Sequence, residues 1–275
     1  MILEAHQLSF GYGSAKVLEG VDVKIGPGVT AVIGPNAAGK STLLKCLCGL
    51  LRPQGRVCLD GCELRSLDSA TLAQRVSHLS QDFSSRAVLT VFETVLLGRL
   101  HQLGWRVTPD EVRIVEQLLD EMDLNQLAGR YVNELSSGQV QMVAIAQALA
   151  REPAVLLMDE PTSNLDLRRQ FEVCTLIRKL TDSRGISTAI ALHDLNLAAR
   201  FADTICVLQN GRVRCSGPPG TVLTEAMITA VYQVEARTTP DEQGRPIVTV
   251  LGPSPAIRES TNEQVSTLRI KNRMS

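Results

Sequence analysis

The stretch of sequence that decides the fold is VTAVIGPNAAGKST, residues 29–42. A short β-branched and apolar run leads into a loop bounded by glycines, which predicts a strand followed by a tight turn. From Ser41 the run STLLKCLCGLL changes to helical spacing, with Leu43, Leu44, Leu47, Leu50 and Leu51 on one stripe. We expect this helix to stop before Pro53, because proline disfavours helical backbone in the residue before it.

The loop in this stretch fits a phosphate-binding pattern. Residues 34–42 read GPNAAGKST, which matches G-x-x-x-x-G-K-[ST] in full. Glycines let backbone N–H groups curl around phosphate oxygens, and the N-terminus of the following helix adds its positive dipole end. Lys40 is predicted to bridge the β- and γ-phosphates, and the Ser41 hydroxyl to ligate Mg²⁺. The alternative is a chance match in a glycine-rich turn. The candidate phosphate-binding residues are Gly34, Pro35, Asn36, Ala37, Ala38, Gly39, Lys40, Ser41 and Thr42.

One position in the loop departs from the commonest pattern. Residue 37 is Ala, where many such loops carry Gly. Because a side chain disfavours left-handed backbone, Ala37 is predicted to avoid positive φ.

Two carboxylates follow a second apolar run. Residues 154–161 read AVLLMDEP, so Asp159 and Glu160 come at the carboxyl end of a buried strand, where an open parallel sheet binds its ligands. Asp159 is predicted to help hold Mg²⁺, and Glu160 to accept a proton from an attacking water. The alternative is an acidic strand end that lies at the surface.

Composition excludes several classes of protein. The 275 residues carry a net charge of −1, which argues against a polybasic protein that binds nucleic acid. No apolar run approaches the roughly 20 residues of a membrane-spanning helix, and the N-terminus lacks a secretory pattern, so we expect a cytosolic protein. The 7 cysteines show no zinc-binding spacing and are expected to be reduced and mostly buried.

The pattern of predicted elements favours an α/β fold with a parallel sheet. Short strands fill the first sixty residues, helical patterns dominate residues 90–150, and strands alternate with helices from Ala154. We divide the chain into a main domain at residues 1–235, with a helical subdomain at about 85–150, and a β-hairpin at residues 236–252. The polar segment 253–275 is expected to be a frayed tail.

A second glycine-containing turn opens another helix. In LSSGQ, residues 135–139, Ser136 or Ser137 is suited to cap the helix, which leaves free N–H groups that an anion can bind. Taken alone, the segment favours an ordinary capped helix over an anion site. Together with the phosphate loop and the strand AVLLMDEP, it makes residues 1 to about 250 resemble the ATP-binding-cassette (ABC) ATPases.

This resemblance implies roles for single residues. Tyr12 in FGYG matches the aromatic residue that stacks on adenine, and Gln81 in HLSQD matches the Q-loop glutamine, with roles in catalysis and in Mg²⁺ binding. His193 in ALHDLN matches the switch histidine, and Asp166 in SNLD the D-loop acid. In the signature, Ser136 and Gly138 match the positions that contact the γ-phosphate of ATP held by a second cassette, and Gln139 is a further candidate ATP-binding residue. Ser137 and Asn164 depart from the commoner family residues, whereas His6, His78 and His101 match no motif and are interpreted as structural.

The resemblance also implies the fold and the partners. It implies a P-loop NTPase (RecA-like) core with an N-terminal antiparallel β subdomain and an inserted helical subdomain, which binds ATP and Mg²⁺. Two cassettes are expected to pair head to tail, as a homodimer or with a close relative.

The stretch VFETVLLGRLHQLGW from Val91 resembles the corresponding stretch in the subfamily of ABC ATPases that energise import of iron-siderophores, haem and cobalamin. This implies a separate membrane permease that docks near residues 81–99, a substrate-binding protein and a position at the cytoplasmic membrane face. The alternative is a soluble ABC ATPase that assists iron–sulfur cluster assembly.

Overall fold

The computed structural model describes residues 1–81, 88–99, 107–163 and 165–254. In chain order the strands are β1 (Leu3–Tyr12), β2 (Ala15–Ile25), β3 (Gly28–Ile33), β4 (Gln54–Leu59), β5 (Cys62–Glu63), β6 (Val76–Leu79), β7 (Val155–Asp159), β8 (Ser187–Ala191), β9 (Thr204–Gln209), β10 (Arg212–Gly217), β11 (Val234–Pro240) and β12 (Pro246–Pro253). The helices are α1 (Lys40–Leu47), α2 (Ser69–Arg75), α3 (Val91–Leu97), α4 (Pro109–Glu121), α5 (Ser137–Leu149), α6 (Leu167–Arg184), α7 (Leu195–Phe201), α8 (Pro219–Val222) and α9 (Glu225–Tyr232). Short 3-10 turns lie at Leu64–Ser66, Asn125–Leu127 and Val132–Glu134.

The main sheet has six strands in the order β10-β9-β3-β8-β7-β6. All neighbours from β9 to β6 are parallel, and β10 is an antiparallel edge strand. The N-terminal strands form a separate antiparallel sheet in the order β2-β1-β4-β5. Helices α3, α4 and α5 are inserted in sequence between β6 and β7. This arrangement confirms the predicted α/β class with a parallel core, an antiparallel β subdomain and a helical insert.

Two apolar clusters cover the two faces of the main sheet. Along β3, Ala31 and Ile33 belong to the cluster on the side of the helical insert, whereas Val32 belongs to the cluster that packs against α1 and the N-terminal sheet. Successive side chains of a strand point to opposite faces, so one continuous apolar run contributes to both clusters. A parallel strand covered on both faces is therefore the physical reason why VTAVI is wholly apolar or β-branched.

Helices α3 and α5 pack against each other in direct contact. The side chain of Gln147 on α5 donates to the Thr94 carbonyl on α3 at 2.8 Å. A Cβ added to Gly98, which ends α3, would lie 2.2 Å from the Gln147 carbonyl oxygen. The buried Arg99 side chain donates to the Ala150 carbonyl, just beyond α5, at 2.7 Å. The two helices are thus joined at several points along α3.

Some element boundaries differ from expectation. Helix α1 ends at Leu47, so Leu50 and Leu51 do not extend its stripe, and Leu50 is 65% exposed. The reason is Gly49, whose φ of 77° is left-handed and ends the helical path well before Pro53. At the other end of the chain, β12 includes Pro253, so the strand continues one residue into the segment predicted as a tail. The division into domains stays a proposal, and residues 255–275 lie outside the described ranges.

Within the described ranges, no helix is both long enough and apolar enough to span a bilayer.

The expectation that the cysteines are mostly buried is met only in part. Cys46, Cys48, Cys174 and Cys206 are buried free thiols, whereas Cys62 is exposed.

Candidate active site

The phosphate loop lies at the carboxyl end of β3, in the middle of the main sheet. Gly34 leaves the strand with a φ of 153°, and a Cβ there would lie 2.1 Å from the Leu208 carbonyl oxygen. Gly39 precedes α1 with a φ of 102° and offers no side chain that caps the helix. The first N–H groups of α1 therefore face the loop without a side-chain acceptor, as an anion site requires.

Ala37 adopts the backbone conformation that we expected it to avoid. Its φ is 60°, and the Ala38 amide donates to the Pro35 carbonyl at 3.2 Å, which makes Ala37 the third residue of a tight turn. Because φ is positive at Ala37 and not at Asn36, the turn is of type II, whose third residue is usually glycine. The prediction for Ala37 was therefore wrong, since closure of the loop outweighs the preference of a single alanine.

Lys40 is buried and folded back over its own loop. Its Nζ donates to the Gly34 carbonyl at 3.0 Å and to the Pro35 carbonyl at 3.3 Å. Burial lowers the pKa of the ammonium, and the nearby carboxylates of Glu160 and Asp159 oppose that shift. The Lys40 ammonium, a group suited to phosphate oxygens, is thus bound by two carbonyls of its own loop.

Ser41 and Asp159 meet directly behind Lys40. The Ser41 hydroxyl donates to Asp159 Oδ1 at 2.9 Å, and Asp159 is almost fully buried at the end of β7. Burial raises the pKa of Asp159 and the charge of Glu160 adds to the rise, whereas the Ser41 hydrogen bond opposes it. These neighbouring oxygens form a donor set that suits a hard divalent cation.

The Glu160 carboxylate is contacted by side chains that follow β6 and β8, the two strands on either side of β7. Gln81, beyond β6, donates its Nε2 to Glu160 Oε2 at 3.0 Å, and His193, beyond β8, places its Nε2 2.5 Å from Glu160 Oε1. The Glu160 backbone has a φ of 50°, a strained conformation for a residue with a side chain. The order β8-β7-β6 brings the residues together, since the carboxyl ends of parallel strands share one edge.

The other predicted site residues lie on separate elements. Tyr12 ends β1, is 52% exposed and packs edge-on against Phe10, with ring centroids 5.0 Å apart. Ser136 caps α5 and forms a reciprocal pair with Gln139, whose side chain accepts from the Ser136 amide at 3.0 Å. Asp166 caps α6 by accepting from the Arg169 amide at 2.8 Å.

In the described parts of a single chain, no hydrogen bond joins Ser136 or Asp166 to the phosphate loop. Gly138 is buried beside Ser136, and a Cβ there would touch the Arg169 side chain at 3.5 Å. The remaining positions of interest, Asn164, His101 and residues 82–87 of the expected permease groove, lie outside the described residues.

Sequence reasoning missed a support beneath the phosphate loop. The Gly211 amide donates to the Ala38 carbonyl at 3.2 Å, and a Cβ on Gly211 would lie 2.2 Å from the Val17 carbonyl oxygen. The dipeptide Asn210–Gly211, between β9 and β10, is a strong hairpin signal that predicts the turn, but not that the turn abuts the loop.

Comparison with known proteins agrees with this geometry. The family profile described as "ABC transporter" matches residues 18–163. The chain is 37% identical over 257 residues to the ferric enterobactin transport ATP-binding protein FepC of Escherichia coli (strain K12), covering 91% of this chain and 94% of FepC. It is 38% identical over 257 residues to the hemin import ATP-binding protein HmuV of Rhodopseudomonas palustris, covering 90% of this chain and 96% of HmuV.

A solved structure is similar as well. The chain matches an inward-facing ABC transporter assigned to the metal-chelate type, with a TM-score of 0.78 and 27% identity over 90% of this chain and 96% of that one. The chain therefore belongs to the ABC transporter family, and its fold is the ABC ATPase fold. Within that family it is an ATP-binding subunit that couples ATP hydrolysis to transport.

Proposed function

We propose that ATP is hydrolysed at the edge of the main sheet, with Glu160 as the general base. The observation that supports this is the convergence of Gln81 and His193 on the Glu160 carboxylate, beside the phosphate loop. Phosphoryl transfer to water needs a group that accepts the proton of the water and fixed donors that keep this group in place. Lys40, in the adjacent loop, supplies the positive charge.

The proposed reaction is a single displacement. Water attacks the γ-phosphorus while Glu160 accepts its proton, and the bond to the β,γ-bridging oxygen breaks to leave ADP and inorganic phosphate. Lys40 exchanges the carbonyls of Gly34 and Pro35 for the β- and γ-phosphate oxygens. Gln81 and His193 orient the carboxylate throughout.

Mg²⁺ fits the oxygen donors beside Lys40. We propose that Ser41 and Asp159, already 2.9 Å apart at their oxygens, hold it together with the amide oxygen of Gln81. When bound, Mg²⁺ neutralises charge on the phosphate oxygens. A bound cation would favour the ionised form of Asp159 and so oppose the rise in its pKa that burial causes.

We further propose that each ATP binds between two copies of the chain. One chain supplies the phosphate loop and Tyr12, whose exposed ring is available to stack on adenine. The other supplies Ser136, Gly138 and Gln139 at the N-terminus of α5, and Asp166 at the N-terminus of α6. The support for this is that these helix ends form no hydrogen bond to the phosphate loop of their own chain within the described residues.

The transported ligand is proposed from the relatives. FepC and HmuV are named for transport of ferric enterobactin and hemin. We propose that this chain energises uptake of an iron-siderophore, or of a related chelate such as haem or cobalamin, through a separate permease at the cytoplasmic membrane face. The relatives do not favour the alternative of a soluble ATPase in iron–sulfur cluster assembly.

The catalytic part is tested with Glu160→Gln in the presence of the permease. We expect phosphate release to fall by about 10²–10⁴-fold while ATP still binds, because the amide keeps the shape but accepts no proton. Glu116→Gln, the same change at an exposed glutamate of α4, is the matched control. Near-normal hydrolysis by Glu160→Gln would contradict the assignment of Glu160 as the general base.

The transport part is tested by uptake of labelled siderophore, haem and cobalamin in a deletion strain. Complementation by the native chain, but not by Glu160→Gln, identifies the ligand. If the deletion leaves uptake of all these ligands intact, the proposed ligand class is wrong.

A further inference from the structure

The side chain of Asn196 joins helix α7 to the C-terminal hairpin formed by β11 and β12. Its Nδ2 donates to the Val248 carbonyl at 3.1 Å, and its Oδ1 accepts from the Val248 amide at 2.8 Å. One amide therefore satisfies both backbone groups of a single strand residue. Asparagine is suited to this because its short side chain ends in both a donor and an acceptor.

A short and rigid piece of chain separates this amide pair from the active site. Only Asp194 and Leu195 lie between His193 and Asn196. Asp194 caps α7, and its Oδ1 accepts from the Asn196 amide at 2.7 Å and from the Leu197 amide at 3.0 Å. The cap fixes the first turn of α7 relative to His193, so the placement of Asn196 also sets the direction from which His193 enters the site.

Other contacts seat the hairpin along the length of α7. The Arg245 guanidinium donates to the Arg200 carbonyl, near the end of α7, at 3.2 Å. Val248 is buried in the same apolar cluster as Ala198 and Ala199. The hairpin thus meets both the first and the last turn of α7.

The His193 side chain is only partly buried. Its side chain is 47% exposed, and its Nε2 lies 2.5 Å from Glu160. Besides its contact with Glu160, the imidazole is directed by the backbone that carries it, and this backbone continues into α7, which the hairpin contacts.

We propose that Asn196 is a positioning residue for His193, and that the hairpin β11–β12 thereby belongs to the hydrolytic apparatus. This inference rests on the proposed function, in which His193 acts at Glu160. The amide pair holds α7 so that His193 Nε2 reaches the carboxylate, and release of the hairpin withdraws the imidazole from it.

The test is a double-mutant cycle of Asn196→Ala and His193→Ala in the full chain, read by steady-state hydrolysis of labelled ATP over a range of ATP concentrations. Loss of an oriented hydrogen bond is expected to lower the hydrolysis rate about fivefold or more, so kcat of Asn196→Ala should fall by that factor. KM for ATP should change by less than about twofold. With His193 already removed, Asn196→Ala should cost no further rate, because it acts through His193. Independent, multiplying losses, or a KM that changes as much as kcat, would overturn the inference.

Glu225→Ala is the matched control for the C-terminal unit. Glu225 Oε1 accepts from the Thr238 amide at 3.0 Å, so this variant removes a hydrogen bond between α9 and the hairpin without touching α7. We expect it to lower the thermal midpoint and to leave kcat unchanged. An equal fall in kcat would mean that the hairpin acts through general stability alone.

A second variant and a spectroscopic readout keep the result decisive if Asn196→Ala fails to fold. Asn196→Asp retains the acceptor for the Val248 amide, but it replaces the donor with a charged oxygen that faces the Val248 carbonyl. In the ¹⁵N-histidine spectrum of this variant, the His193 Nε2 resonance should move toward that of a solvent-exposed imidazole, and an unmoved resonance contradicts the proposal. Undiminished hydrolysis by His193→Ala would overturn the proposed function instead.

Discussion

Replacing Ala37 with glycine is expected to raise the thermal midpoint of the full chain. Ala37 holds a φ of 60° in the turn that the Ala38 amide closes on the Pro35 carbonyl. Left-handed backbone brings Cβ close to the following carbonyl oxygen, at a cost of roughly 1–2 kcal/mol for an L residue. Glycine avoids this cost but has more freedom in the unfolded chain, which opposes it by about 0.4–1 kcal/mol. The free energy of unfolding should therefore rise by roughly 0.5–1 kcal/mol, or about 1–3 °C at the midpoint.

The adjacent Ala38 provides the control, because it lies in the same loop and has the opposite requirements. Ala38 is buried and is not among the residues with positive φ. Ala38→Gly removes a buried methyl and adds unfolded-state freedom, so the free energy of unfolding should fall by about 1–1.5 kcal/mol.

Differential scanning calorimetry of both variants, without nucleotide and at one scan rate, measures the difference. If Ala37→Gly lowers the midpoint as Ala38→Gly does, the left-handed strain assigned to residue 37 is not present.

Further predictions concern other parts of the chain. Tyr12→Ala should weaken ATP binding by about 1–3 kcal/mol through lost stacking, whereas Tyr12→Phe should bind normally; titration calorimetry measures both, and equal losses would contradict stacking. Asp166→Ala should lower the free energy of unfolding by about 1 kcal/mol in denaturant titration, because it removes the cap of α6; an unchanged midpoint would refute the capping role. A thiol reagent at pH 8 should modify Cys62 first in peptide mapping, because Cys62 is exposed and burial raises the pKa of Cys46, Cys174 and Cys206 to about 12; early labelling of Cys206 would contradict the buried core.

Local physical chemistry made the strand, loop and helix at residues 29–47 predictable, along with the acidic strand end at Asp159. The alternation of apolar residues and the need for free N–H groups at a helix start are properties of neighbouring residues. The cap at Ser136 was predictable for the same reason. Roles that depend on a second chain, such as that proposed for Gly138, came only from the family resemblance.

Features that depend on contacts between distant parts of the chain could not be predicted from local sequence patterns. Helix α1 stops at Leu47 although its apolar stripe continues, since the backbone turns at Gly49. Gln81 meets Glu160 across 79 positions, and Asn196 meets Val248 across 52, only because the sheet order and the hairpin bring them together. Positive φ at Ala37 follows from closure of the loop, which no single-residue preference reports.

The contacts between α3 and α5 hold these two helices together, so that we expect them to move as one rigid unit. Gln147 bonds the Thr94 carbonyl, and the backbone at Gly98 approaches Gln147 too closely for a side chain, so neither helix can slide along the other without breaking contacts. Helix α5 has 13 residues, so at about 1.5 Å per residue it is about 20 Å long. If α3 tilts, α5 tilts with it about the contacts near Gln147. Ser136, at the far end of α5, is then displaced further than the residues at these contacts.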